Sequence, residues 1–274
     1  YAGDGSVAGP VKTGRKLVWS DEFDGTGLDK AKWNFRRTMY GKDCQYAHDA
    51  RTVRVEDGCL HMRTLPSPDK GGRCLLSEGI TTHDGMAWKY GYLEMRAKVP
   101  YRHGAWPSFW MQSTARYRKV DYLAEVDIFE AFSSTNAIAA NIHKWGGGKH
   151  VMLKGGEGKG ARSYRFADPS KLNDEFHVYG FEWNPNEMAF FVDGTCYYSC
   201  PIDEIHDFDV KQLPGMGGFH DFMFVIFNNE VFTPGHGWCP DGFELDGAKD
   251  LPIDYVIDWI RLWQDPRTEE LKLR

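Results

Sequence analysis

The alternation of apolar and polar residues at every second position is the feature that most limits how this chain can fold. In residues 89–99 one set of alternating positions is apolar, as in a half-buried strand: Leu93, Met95, Ala97 and Val99. Turn residues at 56–58, 184–186 and 193–194 separate further short apolar runs, which is typical of hairpins. Helical patterns are scarce, so the sequence predicts an all-β chain folded as a sandwich.

The length and composition fit one globular domain. The 274 residues carry 33 Lys and Arg against 39 Asp and Glu, which gives a formal net charge of −6. This balance excludes the basic surface of a general nucleic-acid binder, and no apolar run reaches the length of a membrane span. We therefore expect a single monomeric domain over 1–274, with 266–274 as a terminal tail that forms a short helix or frays.

The six cysteines fit an exported protein with disulfides, or a set of small buried side chains. A structural zinc site is disfavoured because Cys196 and Cys200 have no second close pair. No leader precedes Tyr1, as in a mature form after cleavage. We expect a secreted, periplasmic or cell-surface protein.

Three acidic residues lie close together in the segment 124–131. Glu125 and Asp127 are two positions apart, so they share one face of a strand. Glu130 lies at an odd offset from Glu125 and would face the opposite way on a regular strand. A β-bulge near Ile128 or Phe129 would return Glu130 to the face of Glu125.

Such a cluster needs a compensating function because like charges at this distance repel and raise each other's pKa. A retaining glycosidase supplies one, since it uses two carboxyl groups about 5–5.5 Å apart. A solvated acidic strand and a calcium site are the alternatives. The apolar residues Val126, Ile128 and Phe129 favour a strand over a calcium-binding loop.

The cluster fits the bulged motif Glu-x-Asp-x-x-Glu and resembles glycoside hydrolase family 16, which includes laminarinases, agarases and carrageenases. Further segments that resemble this family follow in the same order along the chain: WSDEFDG (19–25), YGYLEMR (90–96), WPSFW (106–110), FEW (181–183) with FVDG (191–194), and IDWIRLW (257–263). The resemblance covers nearly the whole chain.

The resemblance implies a β-jelly-roll of two curved antiparallel sheets with a substrate cleft on the concave face. It also implies an endo-acting enzyme that retains anomeric configuration by double displacement. By position, Glu125 would be the nucleophile, Asp127 its helper and Glu130 the acid/base. No cofactor is implied for catalysis. A structural calcium on the convex side is implied, with Glu22, the Gly58 carbonyl and Asp258 as its ligands.

Aromatic residues near the acids are candidates for sugar binding. Trp106 and Trp110 share one strand face and could stack on successive sugars, or could pack in the core. His143 could orient a carboxylate, bind a sugar hydroxyl or serve only the structure. Trp145 could add another stacking surface.

The substrate follows less directly from the sequence. Glu230 resembles the acidic residue that galactan-cleaving members carry on a late concave strand. Cationic residues flank the active strand and suit an anionic polymer, or belong to ordinary solvated loops: Arg116, Arg118, Lys119, Lys144, Lys149, His150 and Lys154.

We therefore expect a polysaccharide substrate, a β-galactan of the agar, porphyran or carrageenan kind that could carry sulfate. A β-1,3-glucan and a galactose-containing host glycan are the alternatives. A non-catalytic carbohydrate-binding protein is the alternative class, and transglycosylation through the same intermediate stays open.

Overall fold

The computed structural model describes residues 12, 14–36, 44–47, 49–69, 74–76, 79–114, 122–146, 149–152, 159–202, 218–232, 245, 247–267 and 271–273. Within these ranges the strands are β1 (Lys16–Asp21), β2 (Asn34–Arg36), β3 (Gln45–Tyr46), β4 (Val53–Glu56), β5 (Cys59–Pro66), β6 (Cys74–Leu76), β7 (Gly79–Thr81), β8 (Met86–Trp88), β9 (Gly91–Lys98), β10 (Ala105–Ser113), β11 (Tyr122–Ala131), β12 (Ala137–Gly146), β13 (Lys149–Met152), β14 (Lys159–Gly160), β15 (Ser163–Arg165), β16 (His177–Trp183), β17 (Glu187–Val192), β18 (Thr195–Pro201), β19 (Met223–Val231), β20 (Ile253–Gln264) and β21 (Leu271–Leu273). The helix α1 (Ser170–Asp174) and the 3₁₀ turns Gly218–His220 and Gly247–Asp250 lie between them.

The strands form two sheets. The first has the order β14-β18-β17-β16-β9-β20-β5-β6-β3, with β1 beside β20 and β4 beside β5. The second has the order β13-β12-β11-β10-β19-β7-β2, with β15 beside β12, β8 beside β19 and β21 beside β8. Strand pairs are antiparallel except β3 with β6. The predicted all-β sandwich is confirmed.

Aromatic side chains from both sheets fill the space between them. Phe129 of β11 lies 4.6 Å from Tyr179 of β16 and 6.3 Å from Tyr255 of β20, measured between ring centroids. Within the second sheet, Phe109 of β10 lies 5.4 Å from Phe227 of β19. All five rings are fully buried, so the core holds the middle of the second sheet firmly against the first.

The apolar face predicted for β9 is confirmed, because its alternating residues from Leu93 to Val99 are buried. The strand is more than half-buried, because Tyr92 and Glu94 on its other face are buried as well. Glu94 is satisfied there, since Trp263 Nε1 donates to it at 2.9 Å and Lys12 Nζ lies 2.6 Å away. A buried carboxylate of this kind needs such partners.

The predicted hairpins are present at residues 56–58 and 184–194. Their tight turns contain Asp57 and Gly58, and Asp193 and Gly194, all with positive φ between 49° and 78°. Such backbone angles match the turn to the twist of paired strands.

The terminal tail differs from the prediction. Instead of a helix or a frayed end, residues 271–273 form β21 and pair antiparallel with β8. An edge strand leaves backbone groups unpaired, and β21 supplies partners for those of β8. None of the helices in the described ranges has the length and apolar composition needed to cross a bilayer.

One disulfide joins Cys44 to Cys74, with a Cα–Cα distance of 4.8 Å. Cys59 and Cys196 are free thiols, Cys200 is buried in the core, and Cys239 lies outside the described residues. The chain therefore contains both a disulfide and a small buried cysteine side chain, the two alternatives that the sequence left open.

Replacing Cys44 and Cys74 together by alanine should lower the free energy of unfolding by about 2–4 kcal/mol, because the bond closes a long loop in the unfolded chain. Urea unfolding of wild type and variant measures the difference. Reductant should lower the wild-type midpoint towards that of the variant and leave the variant unchanged. Equal midpoints for oxidised wild type and variant would contradict a stabilising bond.

Candidate active site

A β-bulge in β11 gathers the acidic cluster on one face. Against β10, Phe109 pairs with Phe129 and Trp110 pairs with Asp127, so the register skips Ile128. Ile128 and Phe129 consequently both point into the core, where they are 2% and 0% exposed. The predicted bulge is confirmed, and it returns Glu130 to the side of Asp127. We call this side of the second sheet the cleft face.

The two glutamates have different partners on the cleft face. Gln112 Nε2 donates to Glu125 Oε2 at 3.2 Å, and Glu125 is half-buried. Glu130 is buried and accepts two hydrogen bonds, from Asn141 Nδ2 at 2.6 Å and from Trp106 Nε1 at 2.9 Å. These donors come from β10 and β12, the strands on either side of β11.

The central acid, Asp127, belongs to a chain of hydrogen bonds. Its Oδ2 lies 3.0 Å from His143 Nε2, and both residues are buried. His143 Nδ1 lies 2.8 Å from His150 Nε2, and His150 is exposed. The ring of His150 stacks on Trp145 with a centroid distance of 3.6 Å and an angle of 6°. The chain thus runs from the protein surface to the buried carboxyl group.

Burial raises the pKa of Glu125, Asp127 and Glu130 to about 8. The charge of Asp127 adds to the rise for both glutamates, while hydrogen bonds to the ionised forms oppose it. Burial lowers the pKa of His143, so its ring is neutral near neutral pH. The cluster therefore holds protons at neutral pH, and it can combine an ionised carboxylate with a protonated carboxylic acid.

Comparison with known proteins decides the family. Residues 16–265 match the domain family described as "Beta-porphyranase A-D, GH16 domain". A beta-glucanase of Rhodothermus marinus is 30% identical over 91% of this chain and 85% of that protein. The chain belongs to glycoside hydrolase family 16. The family predicted from the motifs is confirmed.

Other relatives agree with this family. Glucan endo-1,3-beta-glucosidase A1 of Niallia circulans is 26% identical over 95% of this chain, which spans only 39% of that protein's length. The laminarinase catalytic domain of Thermotoga maritima superposes with a TM-score of 0.70 at 25% identity, over 92% of this chain and 98% of that one. The jelly-roll fold and the prediction of an endo-acting glycoside hydrolase are confirmed for this family 16 domain.

Of the two alternatives left open for Trp106, the structure favours packing against other side chains over an open stacking surface for sugar. The ring is 5% exposed and lies parallel to Phe232, with centroids 4.9 Å apart. Phe232 covers one face, and the indole edge is turned to Glu130. Glu230, opposite Trp106 on β19, is 4% exposed and accepts from Asn228 Nδ2 at 3.5 Å.

Trp110 and Trp145 lie on the cleft face and are half-buried. Trp110 Nε1 donates to Asn228 Oδ1 at 2.8 Å, and the guanidinium of Arg36 lies 4.6 Å from the Trp110 ring centroid. The ring of Trp145 stacks against that of His150. Sugar contact by these two tryptophans stays a prediction.

The cations expected around the site are only partly described. Arg116, Arg118, Lys119 and Lys154 lie outside the described residues. Lys144 is not one of the cations on the cleft face, because it follows His143 on β12 and points to the opposite side. Its Nζ lies 5.5 Å from the ring centroid of Phe219, a core residue.

Sequence reasoning missed several polar partners of the cluster. Gln112 and Asn141 could have been found, since each lies two positions from a predicted residue on the same strand. Arg162, which donates to Asn141 Oδ1 at 3.2 Å, and Arg36 come from separate segments and leave no local signal.

The residues expected to bind calcium lie on the first sheet and its turns. Glu22 accepts two hydrogen bonds from Arg261, at 3.0 and 2.7 Å, and Asp258 pairs with Arg96. Both carboxylates are engaged by arginines, so the arrangement does not fit a calcium site unless those ion pairs open. Calcium stays a prediction, with Gly58 in its turn as the third ligand.

Only one group of three or more His, Cys, Asp and Glu side chains in the described ranges is close enough to share a metal ion. It is Glu125, Asp127 and His143, with donor atoms within 4.8 Å of one another. These atoms form the carboxylate cluster and its hydrogen-bond partner, and we assign no metal to them.

The raised pKa values predict how stability depends on pH. Carboxyl groups titrate near pH 4 in an unfolded chain but at about pH 8 in this cluster, so the folded state binds more protons in between. The free energy of unfolding should therefore fall as pH rises from about 4 through 8. Glu125→Gln removes one such group, so its melting temperature should fall less steeply and exceed that of wild type at pH 8.

Thermal unfolding across this pH range checks the effect, with roughly 2–4 °C expected for each kcal/mol regained. Glu175→Gln, an exposed carboxylate paired with Lys171, is the control and should run parallel to wild type. A Glu125→Gln variant that melts below wild type at pH 8 would contradict the raised pKa.

Proposed function

We propose that this domain hydrolyses internal β-glycosidic bonds of a polysaccharide with retention of configuration, with Glu125 as nucleophile and Glu130 as acid/base. The supporting observation is the bulge that places both glutamates and Asp127 on one face. A protein that only binds sugar has no need of two carboxyl groups with raised pKa values on one face.

In the first step, protonated Glu130 donates its proton to the glycosidic oxygen while ionised Glu125 attacks the anomeric carbon. The bond between that carbon and the leaving oxygen breaks, and a glycosyl ester on Glu125 forms. Asp127, which lies between the two in the strand, raises the pKa of both glutamates and so favours the protonated form of Glu130.

In the second step, ionised Glu130 takes a proton from water, and the water oxygen attacks the anomeric carbon. The ester bond breaks, Glu125 leaves as a carboxylate, and the two inversions give net retention. Asn141 and Trp106 donate to the oxygens of Glu130 and stabilise the ionised form that this step requires.

We propose a β-galactan of the agar, porphyran or carrageenan kind as substrate. The match of residues 16–265 to the beta-porphyranase family supports this choice. Glu230 beside Trp106 supports it, as the acidic residue expected in galactan-cleaving members. The guanidinium groups of Arg36 and Arg162 lie near Trp110 and Asn141, where positive charge favours a sulfated polymer.

A β-1,3-glucan is the second candidate, because the relatives from Rhodothermus marinus and Niallia circulans are named as glucanases. The Cys44–Cys74 bond and a polymeric substrate together support action outside the cytoplasm, which we propose as the location.

Glu125→Gln should reduce cleavage by at least about 10³-fold and leave polysaccharide binding intact, since only the attacking carboxylate is lost. Reducing-end release measures cleavage, and affinity electrophoresis measures binding. Azide added to Glu125→Ala should give a glycosyl azide of inverted configuration, whereas azide with Glu130→Ala should give the retained one. A fully active Glu125→Gln enzyme would refute its role as nucleophile.

Purified protein should release oligosaccharides from porphyran or agarose faster than from laminarin, because the site carries cations and an acidic residue suited to a galactan. The panel includes carrageenans and mucin glycans, and product size is read by chromatography. Faster cleavage of laminarin would establish the glucan. A monosaccharide as the sole product would count against internal cleavage, and longer products in the presence of acceptor sugars would show transglycosylation.

A further inference from the structure

The chain of hydrogen bonds behind Asp127 ends on a residue that the proposed reaction does not use. His150, on the edge strand β13, lies across from Trp145 of β12 in the strand register. Its Nε2 is 2.8 Å from His143 Nδ1, and His143 Nε2 is 3.0 Å from Asp127 Oδ2. Two hydrogen bonds, both made by His143, therefore connect His150 to the acidic cluster.

The direction of these hydrogen bonds follows from the groups involved. Above its raised pKa of about 8, Asp127 is ionised and can only accept, so His143 Nε2 must then carry a hydrogen. A neutral imidazole has one N–H, so His143 Nδ1 is then an acceptor, and His150 Nε2 must donate to it. Both bonds consequently point towards Asp127, and each polarises the next.

The charges around His143 act on its pKa in opposite directions. Burial is the largest effect and lowers this pKa, Glu125 and Glu130 of β11 raise it, and Arg162, which precedes β15, lowers it too. Burial together with Arg162 keeps the His143 ring neutral, so the ring has one N–H group rather than two. Which nitrogen carries it depends on the partner at the other side of the ring.

The stacking of His150 on Trp145 holds the donor in position. The two rings are nearly parallel, at 6° and 3.6 Å, and the ring of His143 lies 5.1 Å from that of His150 at 21°. A side chain of an exposed edge strand would otherwise lose this orientation to rotamer freedom.

We propose that His150 is a positioning residue, which fixes the tautomer and ring orientation of His143 and thereby holds the carboxyl group of Asp127 between Glu125 and Glu130. A neutral His143 with its hydrogen on Nδ1 would face an ionised Asp127 with a lone pair and push it away. The proposal deepens the proposed function and rests on it only for the rate measurement.

Two substitutions test the hydrogen-bond donor of His150 and its flat ring independently. His150→Phe keeps a flat ring for Trp145 but removes the donor, whereas His150→Gln keeps an N–H donor without the imidazole. His150→Phe should lower kcat by on the order of 10- to 100-fold with KM changed less than about twofold, as loss of a supporting hydrogen bond does. His150→Gln should recover most of the loss. Rates are measured on the polysaccharide that the purified protein cleaves fastest.

The tautomer is read directly, without substrate. Protein labelled with ¹⁵N-histidine is measured at a pH above the raised pKa of Asp127, about 8, where this carboxyl group is ionised. The ring nitrogen shifts of His143, assigned with His143→Gln, should then show hydrogen on Nε2 in wild type and in His150→Gln. His150→Phe should shift the population towards hydrogen on Nδ1. Thermal unfolding of each variant shows that it is folded.

Wild-type protein with hydrogen on Nδ1 of His143 at this pH, where Asp127 is ionised, would overturn the proposal, even if no variant could be purified. An unchanged tautomer and an unchanged kcat in folded His150→Phe would overturn it as well. Inactivity of the wild-type enzyme on every polysaccharide would count against the proposed function instead, and the nitrogen shifts would still decide the role of His150.

Discussion

The burial of two consecutive side chains on β11 is the constraint on which the active site depends. Ile128 and Phe129 both enter the core, although a regular strand would turn one of them outwards. Phe129 contacts aromatic rings of the opposite sheet, and a fully buried phenylalanine of this kind contributes about 3–5 kcal/mol. That packing keeps the extra residue in the strand, and the extra residue keeps Glu130 beside Asp127.

The packing of the same core offsets the loss in free energy of unfolding that the acid cluster causes. Three carboxyl groups withdrawn from water repel one another once ionised, and their hydrogen-bond partners offset this only in part. The donors are distributed unevenly, with two on Glu130 and Gln112 on Glu125. This asymmetry suits an acid/base that must become an anion midway through the reaction while buried.

The sequence reveals what depends on residue spacing and little of what depends on distant partners. The hairpins, the shared face of Glu125 and Asp127, and the bulge all follow from positions within one segment. Phe232, which covers Trp106, follows β19, and Arg36, which lies over Trp110, belongs to β2, so no pattern local to either tryptophan predicts them. Exposure of an aromatic ring cannot be inferred from its own strand alone.

The register of the strands therefore determines the geometry of the active site as well as the fold. Asn141 and His143 of β12 lie opposite Asp127 and Glu125, and they bond to Glu130 and Asp127. A slip of one residue between β11 and β12 would turn both donors to the core side together. β12 is in turn held by β13 and β15 on its outer edge. The edge that carries His150 thus also fixes the register on which the acid cluster relies, so the hydrogen-bond chain and the strand pairing stabilise one geometry.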